Sequence, residues 1–154
     1  MQEIKGEIKK IVEEFFKKAT IEGEIDVKLK ENLISARIKT EEPKILIGQN
    51  GQTLFGIQHL LRAILKRRIS QDFYLDFDVN DYKKKKVEYL KEIAREAANE
   101  VAITKKEKEL TPMPAYERRI IHLELAERGD VITESRGKDP ERRVVIKPAI
   151  IFQE

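Results

Sequence analysis

Cysteine is absent from all 154 residues, so no disulfide, thiolate nucleophile or cysteine-ligated metal can form. Tryptophan is absent too, and histidine occurs only twice. Two histidines without cysteine do not make a typical zinc site. Glycine and proline number 7 and 5, which leaves little chain for long irregular loops. No apolar run approaches the ~20 residues of a membrane-spanning helix. The N-terminus mixes charged and apolar residues and carries no apolar secretion-signal core. The expectation is a cytoplasmic protein with no membrane insertion. An excess of charge of one sign is also missing. The 31 Lys+Arg and 28 Asp+Glu leave a net charge of +3, so any basic surface must be local.

Enzymatic signatures are missing as well. There is no Gly-x-x-x-x-Gly-Lys-Ser/Thr phosphate loop, no His-Glu-x-x-His and no Gly-x-Ser-x-Gly elbow. Asp76 and Asp78 would share one face of a strand, and a solvated face accounts for them more simply than a metal cluster. The expectation is a protein that is not an enzyme and uses no cofactor or metal.

What is present is a chain that is 40% apolar and 38% charged, with strong periodicities. Ile4, Ile8, Ile11, Val12 and Phe15 recur at helical spacing. After Gly23, the runs Ile25-Val27-Leu29 and Ile34-Ala36-Ile38 alternate with polar residues around a turn at Glu31-Asn32, which reads as a hairpin. A short helix then runs into Gly48-Gln49-Asn50-Gly51, and Leu54, Ile57, Leu60, Leu61, Ile64 and Leu65 predict a helix from Gln52 to about Arg68 with a wide apolar face. Residues 73 to 79 alternate as a third strand. Asn80 or Asp81 is suited to cap the next helix, which runs to about Thr104. Prolines 112 and 114 mark a boundary. A helix from about Pro114 to Arg128 and two strands, Val131 to Ser135 and Arg143 to Lys147, complete the chain. The expectation is an α+β protein of two modules, residues 1–79 as α-β-β-α-α-β and residues 80–154 as α-α-β-β.

Three places could carry chemistry. At Gly48 and Gly51 the missing Cβ atoms let another backbone approach, and the following helix aims its N-terminal N–H groups and positive dipole end at the same gap. Such a corner suits a sugar-phosphate chain, and a plain turn before a helix is its other reading. Gln49 and Asn50 carry no charge, so the corner would act through backbone N–H groups. Lys83, Lys84, Lys85 and Lys86 crowd a helix N-terminus, where cations oppose the dipole; the run reads either as a solvated face or as a place where some of these lysines meet phosphates. Arg118 and His122, four residues apart, share a helix face. There a guanidinium fork suits phosphate, and an imidazole can donate to phosphate or stack on a base. His59, alone on its helix, reads as packed or solvated.

The text from Ile47 to Leu60, Ile-Gly-x-x-Gly-Gln-Thr-Leu-x-x-Ile-Gln-x-Leu, resembles bacterial type II K-homology (KH) domains, whose Gly-x-x-Gly loop clamps single-stranded nucleic acid. Pro-x-x-Glu-Arg-Arg-Ile-Ile-His, with Ser135-Arg136-Gly137, Pro140 and Arg142-Arg143-Val144-Val145-Ile146, resembles the R-three-H domain, named for its Arg-x-x-x-His signature. The two in this order resemble the Jag (SpoIIIJ-associated) family of bacterial RNA-binding proteins. Many members add an N-terminal domain and linker, and the expectation is that this chain starts at the KH module without them. The resemblance implies a non-catalytic post-transcriptional regulator of single-stranded RNA, linked to cell elongation and envelope control. It implies contacts from Gly48, Gln49, Asn50 and Gly51, and from Arg118, His122, Arg119, Ser135, Arg142 and Arg143, with Lys83 and Lys84 supplying charge. Partners would be a small single-KH protein or a second copy. The alternatives are an adaptor or dimer that binds nucleic acid weakly, and a binder of single-stranded DNA.

Overall fold

The computed structural model describes residues 1–150. The elements in order are α1 (Gln2–Lys18), β1 (Glu24–Lys30), β2 (Leu33–Lys39), α2 (Pro43–Ile47), one turn of 3-10 helix (Gln49–Gly51), α3 (Gln52–Arg68), β3 (Tyr74–Val79), α4 (Tyr82–Thr104), β4 (Lys108–Glu109), α5 (Ala115–Leu125), β5 (Val131–Arg136) and β6 (Arg143–Pro148). The fold class is α+β. Two compact units divide between Lys83 and Lys84.

In the first unit, β1 and β2 form the expected antiparallel hairpin, with Val27 opposite Ala36. Strand β3 then pairs with β2 in parallel, placing Phe77 beside Ala36, and the sheet order is β1-β2-β3. A parallel partner requires a crossover, which α2 and α3 provide. The alternating apolar residues all face these helices. Ile8, Val12 and Phe16 of α1 and Leu54, Leu61 and Leu65 of α3 are buried against them. Phe16 stacks on Phe77 with ring centroids 5.7 Å apart. Burying each such side chain contributes about 1.5–3 kcal/mol. The buried stripe of α3 is narrower than its sequence implies, because Leu60 is about half exposed and Ile57 only partly covered. Leu60 is ~100° around the helix from Leu61, and that rotation carries it off the core face.

The turn into α4 differs from the expectation in two ways. The Asn80 side chain bonds both backbone groups of Thr40 instead of capping the helix, accepting from its N–H at 2.9 Å and donating to its carbonyl at 2.8 Å. Asp78 does the capping: its Oδ1 accepts from the N–H groups of Val79 (2.9 Å) and Lys83 (3.3 Å). Asp78 is buried, so the strand face it shares with Asp76 is not simply solvated.

In the second unit, Leu90, Ala94, Ala98 and Val101 of α4 pack with Ile121 of α5 and Ile146 of β6. The sheet order is β4-β6-β5, all antiparallel. Strand β4 is an addition to the elements read from sequence. Its two charged residues have no pattern of their own and become a strand only by pairing with Val145 and Ile146. Helix α5 stops at Leu125, three residues before the expected Arg128.

Candidate nucleic-acid interface

Helix α2 ends where Gly48 turns to φ +69°, and Gly51 at φ +78° starts α3. Side chains rarely occupy this left-handed region. Packing adds to the requirement, since a Cβ on Gly48 would stand 2.1 Å from Thr53 Oγ1 and one on Gly51 3.0 Å from Tyr82 Cε1. Between them, Gln49 and Asn50 form an exposed tip, with Asn50 itself at φ +54°. The backbone N–H groups are less available than the sequence implies. The Gly48 N–H donates to the Lys44 carbonyl (3.0 Å), the Gly51 N–H reaches the Gly48 carbonyl (3.4 Å), and Gln52 N–H donates to Gln49. No side chain caps α3, so its first turn keeps its positive end toward the tip.

The lysine run is not uniform. Lys83 Nζ is tied to Asp76 Oδ1 at 2.6 Å and Gln58 Oε1 at 2.9 Å, and it lies 5.5 Å from the centroid of the Phe55 ring. Asp76 also binds Arg37 Nη2 at 2.7 Å. Burial pushes the Asp76 carboxyl upward, but the hydrogen bonds from Lys83 and Arg37 outweigh it and hold the group below its ordinary value. Lys86 is paired with the buried Glu117 at 3.7 Å. Lys84 and Lys85 are exposed and have no ion pair among the described residues. A groove of about 940 Å³ elsewhere on this unit is lined by Glu22, Glu24, Glu41 and Glu42 with Lys39 as its only cation, so its charge does not suit phosphate.

In the second unit, α5 lays Arg118 and His122 on one face, as their spacing requires. Arg118 is only 7% exposed. Its Nε donates to the Met113 carbonyl at 3.1 Å, and Nη2 reaches toward the exposed Asp139 at 3.8 Å. His122 faces β5, with Nδ1 2.7 Å from Thr133 Oγ1 and Nε2 2.9 Å from Ser135 Oγ. A neutral imidazole donates from one nitrogen and accepts at the other, and hydroxyls do either, so the ring is satisfied uncharged. Burial, with the nearby Arg118 charge second, pushes its pKa below the ordinary value. The motifs of the sequence do not single out Thr133. Its signal is alternation, since it lies two residues before Ser135 and so on the same strand face.

Arg119 is exposed and has no ion pair among the described residues. Arg142 Nη1 donates to the Gly137 carbonyl at 2.7 Å. Arg143 lies elsewhere. Its register puts it on the sheet face of Glu109 and Glu134, where it pairs with Glu109 (3.6 Å) and Glu141 (3.8 Å). Arg136, bound to Glu107 and Glu134, and Lys147, bound to Glu134, complete that self-neutralised face. The structure thus separates Arg143 from His122, Ser135 and Thr133. Among the described residues no cluster suited to a metal occurs, and no helix is long and apolar enough to cross a membrane.

A helix that presents Arg and His four residues apart against a three-stranded antiparallel sheet defines a class, and residues 88–148 match the family model of the R-three-H domain. The similarity extends past that domain. The chain is 30% identical to the RNA-binding protein KhpB of Streptococcus pneumoniae over 144 residues, 94% of this chain and 43% of the relative. It is 33% identical over 130 residues to KhpB of Lactiplantibacillus plantarum (84% of this chain, 40% of the relative) and 35% identical over 130 residues to KhpB of Bacillus subtilis (82% and 62%). An alignment of 144 residues is longer than the second unit and must include the first. The chain therefore carries an R-three-H domain at residues 88–148 and is similar, over most of its length, to proteins named RNA-binding protein KhpB. It spans between 40% and 62% of the length of the relatives it matches.

Proposed function

We propose that this chain binds single-stranded RNA without catalysis, as a post-transcriptional regulator of the Jag type acting in the cytoplasm on cell elongation and envelope control. The observation that carries this reading is the Gly48–Gly51 corner. Both glycines stand at positive φ, an exposed two-residue tip lies between them, and the uncapped start of α3 follows. That arrangement holds an extended phosphate backbone against a helix N-terminus. The matched relatives bear the name RNA-binding protein, which supports the same reading. His122, Ser135 and Arg119 form the second contact surface, with Arg118 acting chiefly through its position beneath it. The first unit is a KH domain of type II, and its partner is a single-KH protein or a second copy.

Fluorescence anisotropy with labelled single-stranded RNA, matched DNA and duplex RNA tests the proposal. Tighter binding to single-stranded RNA than to either competitor supports it. Equal binding to DNA assigns a general single-strand binder. A stable dimer in sedimentation with no RNA affinity assigns an adaptor.

A further inference from the structure

We propose that Gln58, with Lys83 and Phe55, reads bases with an oxygen at C4 or C6, uracil and guanine, in preference to those with an amino group there, cytosine and adenine. The inference rests on the RNA-binding reading of the same unit.

Hydrogen-bond capacity decides what Gln58 can present. An amide side chain has a carbonyl oxygen with two lone pairs and an NH2 with two donors. Gln58 Oε1 accepts from the Phe77 backbone N–H at 3.0 Å and from Lys83 Nζ at 2.9 Å. Both lone pairs are used. Both partners are obligate donors, so the amide cannot flip without setting its NH2 against two others. Gln58 is half-buried, and its Nε2 has no hydrogen bond among the described residues. What it presents is therefore two donors and no acceptor.

Lys83 has the same character, and Asp76 beside it is neutralised. Lys83 has three donors and no acceptor, with two donors committed to Gln58 and Asp76. Each carboxylate oxygen of Asp76 is held by a cation, Oδ1 by Lys83 and Oδ2 by Arg37. The Phe55 ring, 37% exposed, offers an apolar plate beside Lys83. The patch abuts the glycine corner, since a Cβ built on Gly51 would touch Phe55 Cε2 at 3.5 Å. A strand held at that corner brings its bases within reach of these groups.

A patch rich in donors, whose amide oxygen is already occupied, sorts bases by their edges. Uracil O4 and guanine O6 and N7 are acceptors. Cytosine and adenine place an amino group where these place an oxygen, and that amino group meets donors on Gln58 and Lys83 instead of a free acceptor. A glutamine reads adenine through both its oxygen and its nitrogen, and here the oxygen is already occupied.

The test uses the full chain and two pairs of short single-stranded RNAs whose bases differ in the exocyclic group at C4 or C6 and in the proton on the adjacent ring nitrogen. Oligouridine is compared with oligocytidine, and oligoinosine with oligoadenosine, by anisotropy. The expected result is a preference of roughly fivefold or more for the member of each pair with the oxygen at C4 or C6. Gln58→Glu keeps an oxygen for the Phe77 N–H and so keeps the fold, checked by thermal melting, but replaces the NH2 with an acceptor. Its preference should vanish or reverse. Equal affinity within each pair, or preference for the amino bases, overturns the proposal and leaves RNA binding standing. A preference unchanged in Gln58→Glu overturns the role of Gln58. No binding to any of the four overturns the RNA-binding reading itself.

Discussion

Arg142 and Arg143 are neighbours in the chain with unrelated partners. Arg142 donates to the Gly137 carbonyl at the start of the β5–β6 loop, while Arg143 is paired with Glu109 and Glu141 on the face of the sheet away from His122. Arg142→Ala should weaken RNA binding several-fold, about what one phosphate contact provides. Arg143→Ala should leave it almost unchanged, because that guanidinium is already neutralised. Parallel anisotropy titrations decide this, and equal losses would contradict the assignment of faces.

The glycine corner separates fold from charge. Gly48→Asp forces a side chain into Thr53 at a positive φ, so its expected effect mixes lost structure with lost binding. A Gln49→Asp, Asn50→Asp pair adds two carboxylates at exposed positions, one of them in a left-handed conformation that Asp tolerates. The pair should keep the melting temperature close to the parent value and lower RNA affinity tenfold or more, at roughly 1.4 kcal/mol per tenfold.

Arg118 is predicted to matter first for stability. Truncating it to Ala leaves the buried Met113 carbonyl without its donor, and hydrogen bonds to charged groups contribute about 1.5–3 kcal/mol. Urea denaturation of Arg118→Ala should show a loss in that range. Arg119→Ala, at an exposed position, should be neutral in stability and reduce RNA binding.

His122 gives the pH dependence. Its folded pKa lies below the ordinary 6.5, so between the two values the unfolded chain binds the proton and the folded chain does not. The stability held by the neutral ring is fully present above 6.5 and is lost as pH falls through the folded value. Denaturation midpoints measured downward from about pH 7.5 should drop in this window, and His122→Gln should flatten that part of the profile.

Lysines 83 to 86 should differ in their salt response. Lys84→Ala, at a cation with no ion pair among the described residues, should reduce the slope of log affinity against log salt by about 1. Lys86→Ala, at a cation already paired with Glu117, should change the slope less. Identical slopes for both variants would remove the distinction.

Periodicity alone determined most of the elements. The limits of α3 agree with the apolar pattern and its flanking turn, and the hairpin follows from two alternating runs around Glu31-Asn32. The Gly-x-x-Gly spacing and the Arg118–His122 interval were legible because local geometry turns them into a turn and a shared helix face. Packing decided the rest. Which of four consecutive lysines is already paired depends on Asp76, Gln58 and Glu117, distant in sequence. Strand β4 exists only through its register with β6, Asp78 displaces Asn80 as the cap, and Thr133 joins His122 through strand alternation. Periodicity reports which residues leave water, and only the folded chain establishes which polar groups they meet.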